Sequence, residues 1–167
     1  MSRLYPLCFV FLLTAAFVLP ACALLGGSDE VVEKSTNYKF QEPPAPFKRY
    51  EGSAADRAWQ SEKTGNTIAI HSMCQKYDDV KLDLLADNIL AGVDNLNILQ
   101  REKLKFDGRE AERILADGKT DGIPVSVDIL VLKKNNCTYD LVYAGRKSNF
   151  QRESSYFADF IKRFTAP

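Results

Sequence analysis

The sequence has a single histidine, His71, and no excess of charge of either sign: 22 lysines and arginines balance 22 acids in 167 residues. One histidine leaves too few ligands for most zinc sites and removes most histidine-based catalytic arrays. Charge neutrality provides no basic footprint for nucleic acid. Glycine and proline number only 9 and 7, which excludes collagen-like and low-complexity chains. There is no Gly-x-Gly-x-x-Gly, no Walker loop, no Gly-x-Ser-x-Gly and no internal repeat. What is present is 46% apolar and 26% charged. That is the composition of a globular chain long enough for one core and too short for two comfortable domains.

Arg3 and Asp29 bracket a stretch without charge, and Leu4 to Leu25 is mostly Leu, Phe, Val and Ala. Such a run leaves water, either as a spanning helix of about 20 residues or as an export signal ending in small residues. Its end, Leu19-Pro20-Ala21-Cys22, resembles the lipobox of bacterial lipoproteins, with Pro20 where a small residue is usual. The resemblance implies that residues 1–21 are a signal peptide cleaved after Ala21, and that Cys22 carries a diacylglyceryl thioether and an acylated amino terminus. An uncleaved anchor is the alternative, and it too places the domain outside the cytoplasm. Cleavage removes one basic and no acidic residue, so nothing draws the domain electrostatically to an anionic bilayer. The membrane is therefore an expected partner through the lipid on Cys22 alone. Ala23 is not the aspartate that retains some bacterial lipoproteins at the inner membrane, which favours the outer membrane and its periplasmic side.

There are four cysteines. Cys8 falls in the signal and Cys22 is the lipid acceptor. Cys74 and Cys137 remain, an even pair in an oxidising compartment, where a disulfide is the economical reading. Two separate buried thiols are the alternative. A bridge would close a loop of about 64 residues and contribute about 4 kcal/mol on the chain-entropy model.

Residues 22–46 contain Gly26-Gly27-Ser28 and Pro43-Pro44-Ala45-Pro46 without a sustained period, so they read as the lipidated cysteine and a flexible tether. Tyr38 and Phe40 could instead dock on the domain as an edge strand. A single domain is expected over 47–167. Ala54–Glu62 and Thr67–Met73 flank Thr64-Gly65-Asn66 as a hairpin. In its second strand Ile68, Ile70, Ser72 and Cys74 share one face, and Ala69, His71 and Met73 the other. Asp78-Asp79 offers an N-cap for a helix to about Ala91, with Leu82, Leu85, Ala86, Ile89 and Val93 on one side. Leu96–Phe106, Asp107-Gly108 and Arg109–Ala116 predict a second hairpin, although Glu110–Leu115 has helical propensity. Ile123–Leu132, a turn at Asn135-Asn136 and Cys137–Gly145 predict a third. Phe157, Phe160, Ile161 and Phe164 make one apolar face of a C-terminal helix. The class is α+β: an antiparallel sheet of about six strands, with one helix after strand two and one at the C terminus buried against it.

The segments TGNTIAIHSMC, DGIPVSVDILVL and CTYDLVYAG, in that order and before a Phe-rich last helix, resemble the PsbP-like group over about residues 50 to 164. That group includes photosystem extrinsic subunits, Ran-binding Mog proteins and DcrB-type bacterial envelope lipoproteins. The resemblance implies a central antiparallel sheet sandwiched by helices, and an accessory or assembly role. The DcrB type shares the lipid anchor. No motif here matches the group's partner-binding residues.

His71 lies three residues before Cys74, which suggests a thiol enzyme. On a strand that odd spacing puts the two on opposite faces, and a disulfide would consume the nucleophile, so His71 reads as an ordinary strand histidine. Asp128 and Asp140 interrupt apolar strands and could act as acid and base. If Asn135-Asn136 is a two-residue turn, Val131 opposes Asp140 and Asp128 opposes Tyr143. The two carboxylates then face opposite ways, and each is expected to bond a nearby hydroxyl or amide. Asp78, Asp79 and Asp83 lack EF-hand spacing. Asn136-Cys137-Thr138 is formally a glycosylation acceptor, discounted in a bacterial lipoprotein. No catalytic, metal or cofactor site is therefore expected, and no enzyme. The leading expectation is a non-enzymatic envelope accessory factor that binds another envelope protein. The alternative is a carrier or sensor of a small apolar ligand held between sheet and helix.

Overall fold

In a computed structural model describing residues 33–75 and 79–167, seven strands form one antiparallel sheet. The strands are β1 (Phe47–Arg49), β2 (Arg57–Ser61), β3 (Thr67–Cys74), β4 (Asp94–Phe106), β5 (Arg109–Thr120), β6 (Ile123–Lys134) and β7 (Cys137–Arg146). Their order across the sheet is β1-β2-β3-β7-β6-β5-β4. Helix α1 (Leu82–Leu90) joins β3 to β4. After β7 come α2 (Lys147–Phe150), a 3-10 turn (Gln151–Glu153) and α3 (Ser154–Lys162). The expected α+β architecture is present, with Phe47–Arg49 as an additional strand. The signal peptide, Cys8, Cys22 and Asp78 lie outside the described residues.

Turn chemistry sets the registers. Asp107-Gly108, Asp121-Gly122 and Asn135-Asn136 all have positive φ at both positions. Two such residues make the turn whose twist matches a tight hairpin. The β6–β7 register follows: Lys134 opposes Cys137, Val131 opposes Asp140 and Asp128 opposes Tyr143. Glu110–Leu115 is strand, because alternation puts Ala111 against the C-terminal helices and Ile114 against α1.

Each face carries its own core. Trp59, Ile68, Ile70, Leu130, Leu132, Tyr139, Leu141 and Tyr143 meet Phe150, Phe157, Phe160, Ile161 and Phe164 from the C-terminal segment. Phe164 lies just beyond the end of α3 and still packs inward. On the other face Leu85, Ala86 and Leu90 of α1 cover Ile114, Ala116, Val127, Ile129 and Val131. Helix α1 begins at Leu82 with Lys81 at the cap position and no side-chain cap bond. The expected start at Asp78-Asp79 is thus too early. The acid in the first turn is Asp83, well placed for the helix dipole.

The tether boundary at residue 46 is also corrected, for the described residues 33–46. Cys74 N–H donates to Glu33 O at 2.8 Å, and Ser35 N–H to Ser72 Oγ at 3.0 Å. Lys34 pairs with Asp56 at 2.6 Å. Tyr38 packs on Tyr139 and Phe164, and Phe40 on Trp59 and Phe160. This segment docks by aromatic packing and one bridge, Lys39 to Thr165, outside the sheet.

Strand directions give the domain two poles. The Asp107-Gly108 and Asn135-Asn136 turns, the Cys74 end of β3 and the Pro167 terminus gather at one, where Asn135 Nδ2 donates to Pro167 O at 2.7 Å. Glu33 enters at this proximal pole, through its bond to Cys74. The Asp121-Gly122 turn, the β2–β3 turn and the starts of β4 and α2 lie at the distal pole.

Candidate functional site

Helix α1 sits over β5 and β6 and leaves β3 and β7 partly open on the same face. Between them runs a groove of about 310 Å³. Met73 and Val142 from the sheet and Leu85 and Ile89 from the helix form its apolar walls. His71, Thr138, Asp140 and Asn88 supply its polar groups.

His71 and Asp140 are cross-strand partners in the β3–β7 ladder. Nδ1 of His71 lies 3.6 Å from Oδ2 of Asp140. Asp140 raises the imidazole's pKa above its ordinary 6.5, burial opposes this, and the field of Asp56 adds to the rise. The expectation that Asp140 bonds a hydroxyl or amide is therefore corrected: it faces an imidazole. Asp128 is corrected likewise. It takes a two-point ion pair from Arg113, at 2.9 and 2.7 Å. The two carboxylates do lie on opposite faces, as their register requires.

Cys74 and Cys137 are opposed residues joined by a disulfide, with Cα atoms 3.9 Å apart. Cys74 is on the face opposite His71, so the pair forms no thiol–imidazole unit. Ser72 also points away from His71, donating to Asp56 Oδ2 at 2.6 Å. Among the described residues no cluster of three potential metal ligands occurs.

A second feature lies in the distal half of the sheet. Leu96, Ile98 and Leu99 on β4 and Ile123 on β6 are 40–53% exposed. Strand β4 is an edge of the sheet, and its first half is interrupted by register shifts between Asp94 and Asn97 and between Ile98 and Gln100. Bulges and flanking charges such as Lys103 and Lys105 limit indiscriminate edge pairing. The apolar stretch Leu96–Leu99 carries no such charge.

Two polar assemblies had no signal in the sequence. Glu153 is 5% exposed and accepts from Ser61 Oγ at 2.8 Å, from Asn66 Nδ2 at 3.2 Å and from Thr64 Oγ1. It pins the β2–β3 turn to the start of α3. Arg101 of β4 reaches buried Glu112 on β5 and Asp87 of α1, tying the edge strand to the helix.

No family model and no curated protein matches the sequence. Solved structures do. LpqN of Mycobacterium tuberculosis, described as involved in cell envelope biogenesis, superposes with a TM-score of 0.62 at 11% identity, over 81% of this chain and 86% of that one. The cyanobacterial PsbP of Synechocystis sp. PCC 6803 gives 0.53 at 11% identity, over 89% of this chain and 99% of that one. At such identity the likeness speaks for the backbone arrangement, and the chain has a PsbP-like α+β fold.

Proposed function

We propose that the protein is a non-enzymatic accessory or assembly factor of the bacterial envelope, held at a membrane by lipid on Cys22 and acting through protein contact at the distal half of the sheet. The observation that carries this reading is one of placement. The described chain enters at the proximal pole through Glu33, and the exposed Leu96, Ile98, Leu99 and Ile123 lie in the distal half of the sheet. A domain tethered from its proximal pole leaves those side chains free to meet a partner. An exposed apolar edge stretch such as Leu96–Leu99 is a feature of protein-binding surfaces.

The envelope setting is supported by the lipobox resemblance and by the description of LpqN. Ala23 favours the outer membrane, facing the periplasm. With residues 33–46 packed on the domain, the spacer proposed between lipid and domain shortens to residues 23–32. The test is labelled-palmitate incorporation. Wild-type protein is expected to take up label, and Cys22→Ala to lose the label and remain unprocessed or be released. Label retained by Cys22→Ala refutes the anchor.

A second reading, a carrier of a small apolar ligand, is favoured by the groove between α1 and the β3–β7 pair.

A further inference from the structure

We propose that this groove binds a small amphiphile with an aliphatic body and a primary ammonium head, the head seated against Asp140 beside His71. The proposal rests on the carrier reading and adds the chemistry of the head group.

The body follows from the walls. Met73 of β3, Val142 of β7 and Leu85 and Ile89 of α1 present four aliphatic surfaces, and an alkyl chain buried among them leaves water. A thioether wall adapts to chains of different shape.

The head follows from hydrogen-bond accounting. The Asp140 side chain is only 9% exposed, and its pairing with His71 is long, Nδ1 lying 3.6 Å from Oδ2. Its carboxylate therefore keeps acceptor capacity in a largely dry place. Thr138 Oγ1 donates to Met73 O at 3.3 Å, so toward the groove its hydroxyl offers lone pairs. Asn88 on α1 is neutral and can serve either way. The corner is thus rich in acceptors. It suits a group with several donors and no lone pair, and it repels a carboxylate or phosphate.

The surrounding charges agree. Lys34 and Asp56 pair with each other at 2.6 Å. Lys133 on β6, opposite Thr138, directs its ammonium to Val80 O at 3.0 Å. Asp140 is the charge that faces His71 most closely, and it is the chief cause of that imidazole's raised pKa. A bound ammonium and the His71 proton compete for that charge. Affinity therefore rises as pH passes upward through the histidine's pKa.

His71 is the chain's only histidine, so its imidazole NMR signal is an unambiguous reporter. The full chain, with isotope-labelled histidine and held in lipid nanodiscs, is titrated with hexylamine, hexanoate and hexanol. Hexylamine is expected to shift the His71 signal saturably, to lower its pKa, and to bind at least about ten-fold tighter than the other two, a gap of about 1.4 kcal/mol. Asp140→Asn should remove that preference, and Met73→Trp, which fills the groove, should abolish binding. Hexanoate or hexanol binding as tightly overturns the head-group assignment and leaves the carrier reading standing. Saturable binding by none of the three overturns both.

Discussion

His71 on β3 stands directly across from Asp140 on β7, with Nδ1 3.6 Å from the carboxylate, on the sheet face away from the Cys74–Cys137 disulfide. Asp140 raises the folded-state pKa of the imidazole above 6.5. A group stabilised in its protonated form contributes fully below its unfolded pKa and loses that contribution as pH rises through the folded value. Stability should therefore decline from about pH 6.5 upward. The effect is small, because the His71 side chain is 35% exposed. His71→Gln should flatten this part of the profile, as read from urea midpoints on either side of neutrality. An unchanged slope in the variant would show that the pair is not coupled to folding.

Glu153 joins the β2–β3 turn to α3 through Ser61, Thr64 and Asn66. Glu153→Ala leaves those groups buried without their acceptor, at an expected cost of about 3 kcal/mol. Gly145→Ala should also destabilise, since a Cβ there would lie 1.9 Å from Asn66 Oδ1. Denaturant titration measures both. A loss under about 0.5 kcal/mol for Glu153→Ala would mean that water replaces the carboxylate without penalty.

The disulfide ties β3 to β7, strands far apart in sequence. The Cys74→Ser, Cys137→Ser double variant is expected to keep the fold and lose about 4 kcal/mol, an upper figure because the reduced unfolded chain retains structure. Circular dichroism and a urea titration check the two halves of that statement.

The docked segment is testable in the same way. Tyr38→Ala with Phe40→Ala removes contacts to Tyr139, Trp59, Phe160 and Phe164. Partial exposure of both rings limits the expected loss to about 2–3 kcal/mol for the pair. Amide exchange at Cys74, which bonds Glu33 O, should accelerate. Unaltered protection would show that residues 33–36 hold without the aromatic anchors.

What the sequence made legible was local. Asp107-Gly108 and Asn135-Asn136 are residue pairs that tolerate positive φ, so both hairpins and the β6–β7 register follow from their chemistry. Alternation in Thr67–Cys74 told which residues share a face, and that separated His71 from Cys74. What was hidden depends on strands that meet across long sequence separations. The β3–β7 pairing sets Asp140 before His71, and no short-range pattern encodes it. Arg113 reaches Asp128 diagonally from the neighbouring strand, where a nearby hydroxyl or amide had been the simpler expectation. Residues 33–46 lack any period because they dock by single aromatic anchors and not by a ladder. Glu153 has the composition of a solvated helix start and is buried by the turn that folds over it.

The central claim is that the partner binds at the distal half of the sheet, and site-specific photo-crosslinking in intact cells tests it most directly. A photoreactive residue replacing Leu99 in the distal half of the sheet is compared with one replacing Asn136 at the proximal pole, each in the full chain. The account predicts a discrete adduct from position 99 that is absent from position 136 and disappears with Leu96→Asp and Ile98→Asp, while the thermal midpoint is unchanged. Equal crosslinking from both positions, or a position-99 adduct indifferent to the two aspartates, would contradict it.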